Sequence, residues 1–196
     1  MFVFLNRCIK AGIVCAWLAA GWWVWSQRER VRPLIDYYEV WQANGRKDPP
    51  PLPEMEGTVD RAVTDTGIFL RDGQGKLWSF GLIGIEPTSQ DPRLATFAAE
   101  TRTNLTKLLA GQPVRIAWTS TNLTRAGFGY LYRGTNQTGL AVEMVGSGRW
   151  RLHPVSASVL PIKEQVRLKV AEREARTRQV GLWAEGMPVQ KERDPE

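Results

Sequence analysis

The chain is poor in the residues from which disulfide frameworks, zinc sites and histidine-dependent active sites are built. It contains two cysteines, Cys8 and Cys15, and one histidine, His153, which excludes a disulfide-stapled fold and a Cys/His metal cluster. It also lacks a glycine-rich phosphate loop, zinc-ligand spacing and internal repeats. No serine or cysteine stands convincingly as a nucleophilic partner for His153, which favours a loop histidine over a catalytic one.

The remaining composition is that of an ordinary globular protein. Charged residues make up 23% and hydrophobic residues 43% of the 196 residues. These fractions exclude a wholly disordered chain, a collagen-like fibre and a multi-span membrane protein. The length allows one domain with attachments. The net charge of +6 does not by itself select a nucleic acid, a lipid or any other partner.

Residues 11–25, AGIVCAWLAAGWWVW, carry no charge and predict an N-terminal transmembrane helix. The run is shorter than the roughly 20 residues that span a bilayer as a helix, so a cleaved signal peptide or a buried core helix also fits its length. Indole rings prefer the headgroup region, which favours a single-pass anchor. The anchor residues are Trp17, Trp22, Trp23 and Trp25. We expect a bacterial inner membrane; basic residues on both flanks leave the side of the following domain open, with a slight preference for the cytoplasm.

Four segments follow from this pattern. Residues 1–32 form the anchor with its flanks, and 33–53 form a juxtamembrane helix and a proline-rich linker. Residues 54–186 form the folded domain, and 187–196 form a disordered tail. The helix, over 33–45, begins with Pro33 in its first turn and has an apolar stripe at helical spacing. Its members are Leu34, Tyr37, Tyr38 and Trp41.

The folded domain is predicted to contain five strands with a helix inserted after the third. Turn signals at 64–67 and 72–75 divide the first three strands, and a helix opens at Asp91-Pro92. Two more strands follow at 113–119 and 129–133, then a short helix at 140–145 and a longer one after Pro161, with Ile162, Val166 and Val170 on one stripe. This is an α+β, mainly β, pattern with about three helices. It is typical of a five-stranded Greek-key barrel of the oligonucleotide/oligosaccharide-binding (OB) type.

Three motifs in this domain resemble those of the staphylococcal nuclease-like (thermonuclease) family. LIGIEP at 82–87 is similar to the family's G-I-D-x-P-E strand end, and RAGFGYLY at 125–132 is similar to its Y-G-R-x-L-A-Y stretch. EREARTRQVGLWAE at 172–185 is similar to its terminal helix leading into G-L-W. The resemblance covers residues 56–186.

The resemblance implies a phosphodiesterase site whose key groups are replaced in this chain. Family nucleases use two arginines, a glutamate that activates water and two aspartates that hold calcium. Gly81 and Phe128 stand at the arginine positions, and Thr88 or Ser89 stands at the glutamate position. Glycine and phenylalanine side chains donate no hydrogen bond to a phosphoryl oxygen, and neither hydroxyl is a base near neutral pH. We therefore predict a degenerate site, a chain that is not an enzyme, and no cofactor.

Two carboxylates remain near the family's calcium positions. Asp65 lies near the family's D-G-D-T loop, and Glu86 lies at its second carboxylate position. They are weak candidates for a calcium or magnesium site. A turn residue and a solvated strand end are the better interpretations.

Three functions compete at this point. The favoured one is a catalytically degenerate accessory subunit whose partners are membrane lipid and other membrane-protein subunits. The alternative is a non-cleaving nucleic-acid-binding module that uses Arg125, Tyr130, Arg149 and Arg151. Glutamates interleaved with cations beyond residue 163 instead favour an ordinary solvated helix face. The third is a membrane-tethered calcium-dependent nuclease.

Overall fold

The computed structural model describes residues 28–119, 126–134 and 138–184, together with Trp22 and Met187. The helices are α1 (Arg28–Ala43), α2 (Ala95–Leu109), α3 (Leu140–Gly146), α4 (Pro154–Ala157) and α5 (Ile162–Thr177). The strands are β1 (Glu54–Ala62), β2 (Gly67–Asp72), β3 (Leu77–Leu82), β4 (Ile85–Glu86), β5 (Pro113–Thr119), β6 (Ala126–Arg133) and β7 (Arg151–Leu152). Short 3-10 turns cover Thr88–Gln90, Pro92–Leu94 and Gly181–Trp183.

Five strands pair in a closed ring in the order β1-β2-β3-β6-β5, with β5 returning to β1. All neighbours are antiparallel except β3 and β6, which run parallel. The β2–β3 turn forms because the Asp72 carboxylate accepts hydrogen bonds from the backbone N–H groups of Gln74 and Lys76, each at 2.9 Å. The ring thus brings the middle of β3 beside the start of β6, although about 45 residues separate them in the chain.

Alternate residues of the ring point inward and form the core. The fully buried members include Ile68, Leu70, Phe80, Ile116 and Leu131, as the period of two along a strand requires. Helix α2 packs against β1 and buries Leu105 and Leu109. Asp91 caps the 3-10 turn Pro92–Leu94, which leads into α2, since its side chain accepts a hydrogen bond from the N–H of Arg93.

The Gly-Leu-Trp segment after α5 folds back on the end of α3. The N–H of Leu182 donates to the carbonyl of Gly148 at 2.8 Å, and Leu182 is buried. Gly181 has φ +59°, and a Cβ there would lie 2.4 Å from the Gly148 carbonyl oxygen. The close backbone contact therefore requires glycine at position 181.

The helices differ from the sequence prediction in number and in buried face. The described part of the domain contains four α-helices, α2 to α5, whereas about three were predicted; α4, capped by His153, is the one that the sequence analysis missed. Helix α1 was predicted separately, over 33–45. On α5 the predicted stripe was only partly right. Ile162 is buried, but Val166 and Val170 are only partly buried, and the core face is formed instead by Leu168, Ala171 and Ala175 with the polar Glu164 and Gln165. These polar residues can be buried because each has hydrogen-bond partners, such as Leu160 O at 2.7 Å from Gln165 Nε2.

Helix α1 packs against α5 of the domain. The described helix includes Arg28, so Pro33 lies inside it rather than in its first turn. Asp36 is fully buried; one of its oxygens accepts from Arg173 Nη1 at 2.5 Å, and the other lies 3.6 Å from Arg32 Nε and 3.7 Å from Lys169 Nζ. Farther along, the Asp48 carboxylate accepts from the N–H of Ile162 at 2.9 Å. The segment predicted as a juxtamembrane helix and linker is therefore in contact with the domain.

The predicted membrane anchor lies outside the described residues, apart from Trp22. That residue is helical and 68% exposed. Among the described residues, no helix combines the length and the apolar character needed to cross a bilayer. The predicted tail over 187–196 also lies outside the described residues, except for Met187.

We expect Asp36→Asn to release α1 from α5 while leaving the barrel folded. The substitution removes the negative charge that faces Arg173 at 2.5 Å in this buried contact, a loss of about 1–3 kcal/mol because Arg173 is itself partly exposed. Hydrogen exchange of amides in residues 34–44 should accelerate about tenfold or more. Glu39→Gln, at an exposed ion pair with Lys169, is the matched control and should change exchange little. Equal exchange in both variants would contradict this role of Asp36.

Candidate functional site

The two residues at the family's arginine positions lie side by side. Gly81 on β3 and Phe128 on β6 are register partners in the parallel pair. The Phe128 side chain is 61% exposed, and its ring covers Gly81 so closely that a Cβ at position 81 would lie 2.9 Å from ring atoms Cδ1 and Cε1. The space above this part of the barrel is therefore occupied by an apolar ring, which presents no positive charge to a phosphate.

Asp65, in the β1–β2 connection, has a buried and fully hydrogen-bonded carboxylate. It is 2% exposed, and one oxygen accepts from the N–H and the hydroxyl of Thr88, at 2.7 and 2.8 Å, and from the N–H of Ser89 at 3.1 Å. The other oxygen accepts from the Ser89 hydroxyl at 2.8 Å. Four donors thus replace the water that a buried carboxylate loses.

The same loop is held from a second direction. The indole N–H of Trp150 donates to the backbone carbonyl of Asp65 at 2.9 Å, and Trp150 is fully buried. Residues 65, 88 and 150 come from three separate parts of the chain, so their contacts fix the β1–β2 connection relative to the segments after β4 and α3. Thr88 and Ser89 serve here as hydrogen-bond donors to a carboxylate and are not positioned as bases.

Glu86 is paired with an arginine. Strands β4 and β7 pair so that Glu86 and Arg151 are partners, and their side chains form an ion pair at 3.1 Å. Hydrogen bonds from Arg93 are the main cause that lowers the pKa of Asp91, and the charge of Arg151 contributes to the same shift. Arg151 is thus ion-paired with Glu86 and adds to the positive potential at Asp91. Its charge is offset locally rather than presented to a ligand.

Of the four residues proposed to contact nucleic acid, Tyr130 is placed where it cannot stack on a base. It is fully buried, and its hydroxyl donates to the Glu164 carboxylate at 2.9 Å; burial, and next the charge of Glu164, raise the pKa of the Tyr130 phenol. The prediction that Tyr130 contacts nucleic acid was wrong because both faces of β6 are covered: Leu131 points into the barrel and Tyr130 lies beneath α5. Arg149 is partly buried, and Arg125 lies outside the described residues.

The neighbouring Tyr132 is also partly buried. Its ring meets that of Tyr130 edge to face, with centroids 5.2 Å apart, and the Arg115 guanidinium lies 4.5 Å from its centroid. Burial raises the pKa of the Tyr132 phenol to about 12. Both tyrosines are therefore neutral near physiological pH.

His153 has a serine partner that the sequence analysis missed. The Nδ1 atom of His153 accepts from the N–H of Ser156 at 3.1 Å and lies 3.0 Å from the Ser156 hydroxyl. That hydroxyl also accepts from the N–H of Gly84 at 3.1 Å. The His-Pro pair before a short helix is an N-cap pattern, with proline at the first helical position. This pattern could have revealed the contact. The pair joins α4 to the β3–β4 connection.

Within the ranges that the structure describes, no three Asp, Glu, His or Cys side chains group so as to hold a metal ion. Asp65 and Glu86, the two sequence candidates, have different partners. Asp65 accepts from Thr88 and Ser89, and Glu86 is paired with Arg151.

A comparison with protein-family models gives one match. The model described as staphylococcal nuclease homologue matches residues 79–185. The chain belongs to this family. A search of curated proteins found no match. In this staphylococcal nuclease homologue the matched region begins within β3, yet β1 and β2, which precede the match, pair with β3 and β5 to complete the ring of strands.

We expect Asp65→Asn to destabilise the domain by about 2–4 kcal/mol, because the amide lacks the negative charge that strengthens all four hydrogen bonds and only one of its two polar atoms can accept. Denaturant unfolding followed by tryptophan fluorescence measures the change. Glu86→Gln, at a partly exposed ion pair, serves as control and should cost less than about 1 kcal/mol. Similar losses in the two variants would show that the Asp65 contacts are not special.

Proposed function

We propose that this family member does not cleave nucleic acid and serves as an interaction subunit of a membrane-bound protein assembly. The observation that supports the first half most directly is the Phe128 ring over Gly81. Cleavage of a phosphodiester places additional negative charge on the phosphoryl oxygens, which requires preorganised donors. Gly81 has no side chain and Phe128 has a phenyl ring, so neither side chain supplies such a donor.

The residues after β4 support the same proposal. An attacking water needs a base whose pKa is near the working pH. The hydroxyls of Thr88 and Ser89 stand where the resemblance places that base, and both donate to Asp65. Loss of a charge-stabilising donor costs about 10²–10³ in rate and loss of a general base about 10²–10⁴. The family mechanism therefore leaves no detectable activity in this account.

An interaction role accounts for what the chain retains. The barrel, the bound helix α1 and the Gly-Leu-Trp contact are all present, so the domain is a folded scaffold that can carry an interaction surface. The uncharged run over 11–25 supports attachment to a membrane, for which we propose a bacterial inner membrane. Nucleic-acid binding is the weaker proposal because Tyr130 is buried and Arg151 is ion-paired.

A cleavage assay tests the first half of the proposal. Purified full-length chain, incubated with single-stranded DNA and calcium, should release no more product than buffer does. The matched controls are Asp65→Asn and Glu86→Gln, which remove the two remaining carboxylates. Cleavage by the unchanged chain that both variants abolish would contradict the proposal.

The second half is tested by the size of the native assembly. A C-terminally tagged chain extracted in mild detergent should elute in one complex that contains a second polypeptide at a fixed stoichiometry. Binding of the purified chain to single-stranded DNA, measured over a range of salt concentrations, is the comparison. A chain that elutes alone, yet binds DNA with a steep inverse dependence on salt, would favour the nucleic-acid-binding alternative.

A further inference from the structure

Helix α1 has two different faces. Asp36 turns toward α5, where it is fully buried. On the opposite side Leu34, Tyr37 and Tyr38 are 71%, 48% and 52% exposed, and Trp41 is partly exposed. The spacing of 34, 37, 38 and 41 puts these four side chains on one stripe of a helix. We call this stripe the aromatic face.

The aromatic face is continuous and borders on basic residues. The rings of Tyr38 and Trp41 are 6.0 Å apart between centroids. The Arg46 guanidinium lies 6.0 Å from the Trp41 ring centroid, and both Arg46 and the adjacent Lys47 are exposed. Apolar, aromatic and cationic groups are therefore combined on this side of the helix.

The acidic residues in this part of α1 lie on the other side. Between positions 32 and 43 they are Asp36 and Glu39. Asp36 is paired with Arg173 and Glu39 with Lys169, both on α5. The inner side of the helix thus uses its negative charges to bind the domain, and the outer side is left apolar with cations at its end.

The chain before α1 indicates what covers this face. The uncharged run over 11–25 ends at Trp25, three positions before Arg28, where the described helix begins. Tyrosine and tryptophan favour the headgroup region of a bilayer, and nearby lysine and arginine are attracted to anionic lipid. An amphipathic helix of this composition is typical of segments that lie on a membrane surface.

We propose that the aromatic face of α1 docks onto the surface of an anionic phospholipid bilayer. Because the opposite side of α1 is bound to α5 through Asp36, the contact also determines which side of the domain faces the membrane. This proposal rests on the membrane attachment included in the proposed function. It adds the ligand class, the contacting residues and the orientation.

The size of the face favours lipid over a second protein chain. A stable protein interface uses roughly 20–30 residues on each side, whereas the aromatic face has four. Contact with lipid needs no such area when a neighbouring segment already holds the helix near the membrane, because the second contact then forms at high effective concentration.

The test uses the full chain, with Cys8→Ser and Cys15→Ser so that one added cysteine carries an environment-sensitive fluorophore. Leu34→Cys places the label on the aromatic face, and Thr103→Cys places it on an exposed position of α2. Vesicles contain phosphatidylcholine, phosphatidylglycerol and a lipid with a nitroxide at headgroup depth. We expect lipid-dependent quenching at position 34 to be at least about threefold greater than at 103. A further change of Tyr37, Tyr38 and Trp41 to serine should lower it to the level at 103.

Three results would overturn the proposal. Equal quenching at 34 and 103, in chain that floats with the vesicles, would show that the chain attaches to the membrane but that the aromatic face does not dock onto it. A label at 34 that is shielded from aqueous iodide without being quenched by the nitroxide lipid would show that another protein surface covers it. If the chain does not float with the vesicles, both the docking of the aromatic face and the membrane attachment in the proposed function are contradicted.

Discussion

The buried carboxylate of Asp65 is the constraint on which the candidate site depends. A carboxylate that is 2% exposed must obtain from the protein the hydrogen bonds that it loses with water. Thr88 and Ser89 provide them, which fixes the turn after β4 against the β1–β2 connection. The Trp150 indole N–H binds the β1–β2 connection as well, by donating to the backbone carbonyl of Asp65. In this homologue the loop beside the site is held by the chain's own hydroxyl and amide groups, so no cation is needed to balance Asp65 there.

The pairing of the barrel strands explains why no empty cleft lies above Gly81. Parallel pairing of β3 with β6 places Gly81 next to Phe128, and the ring fills the volume that a side chain at 81 would occupy. A glycine at one position and a large apolar residue at the other fit each other sterically. The surface at this point is packed, and the exposed group there is an apolar ring.

Local patterns predicted the five barrel strands and most helices, because turns, caps and hydrophobic period depend on neighbouring residues. The family was identified separately, from the resemblance of three motifs. The contacts that define the site depend on register between distant segments and could not be predicted in this way. Asp65 and Thr88 are 23 positions apart, and Asp36 meets Arg173 from 137 positions away. Nothing local distinguishes Asp36 from an exposed helix residue, or shows that the outer face of β6, on which Tyr130 lies, is covered by α5.

The Asp65 carboxylate obtains its hydrogen bonds from Thr88 and Ser89 of the same chain, so we expect no cation to bind there. The most direct measurement is the thermal unfolding midpoint of the full chain in excess calcium and in EDTA, because an ion that binds only the folded state raises that midpoint. The account predicts equal midpoints in the two buffers. A midpoint that rises with calcium concentration, with the rise absent in Asp65→Asn, would contradict it.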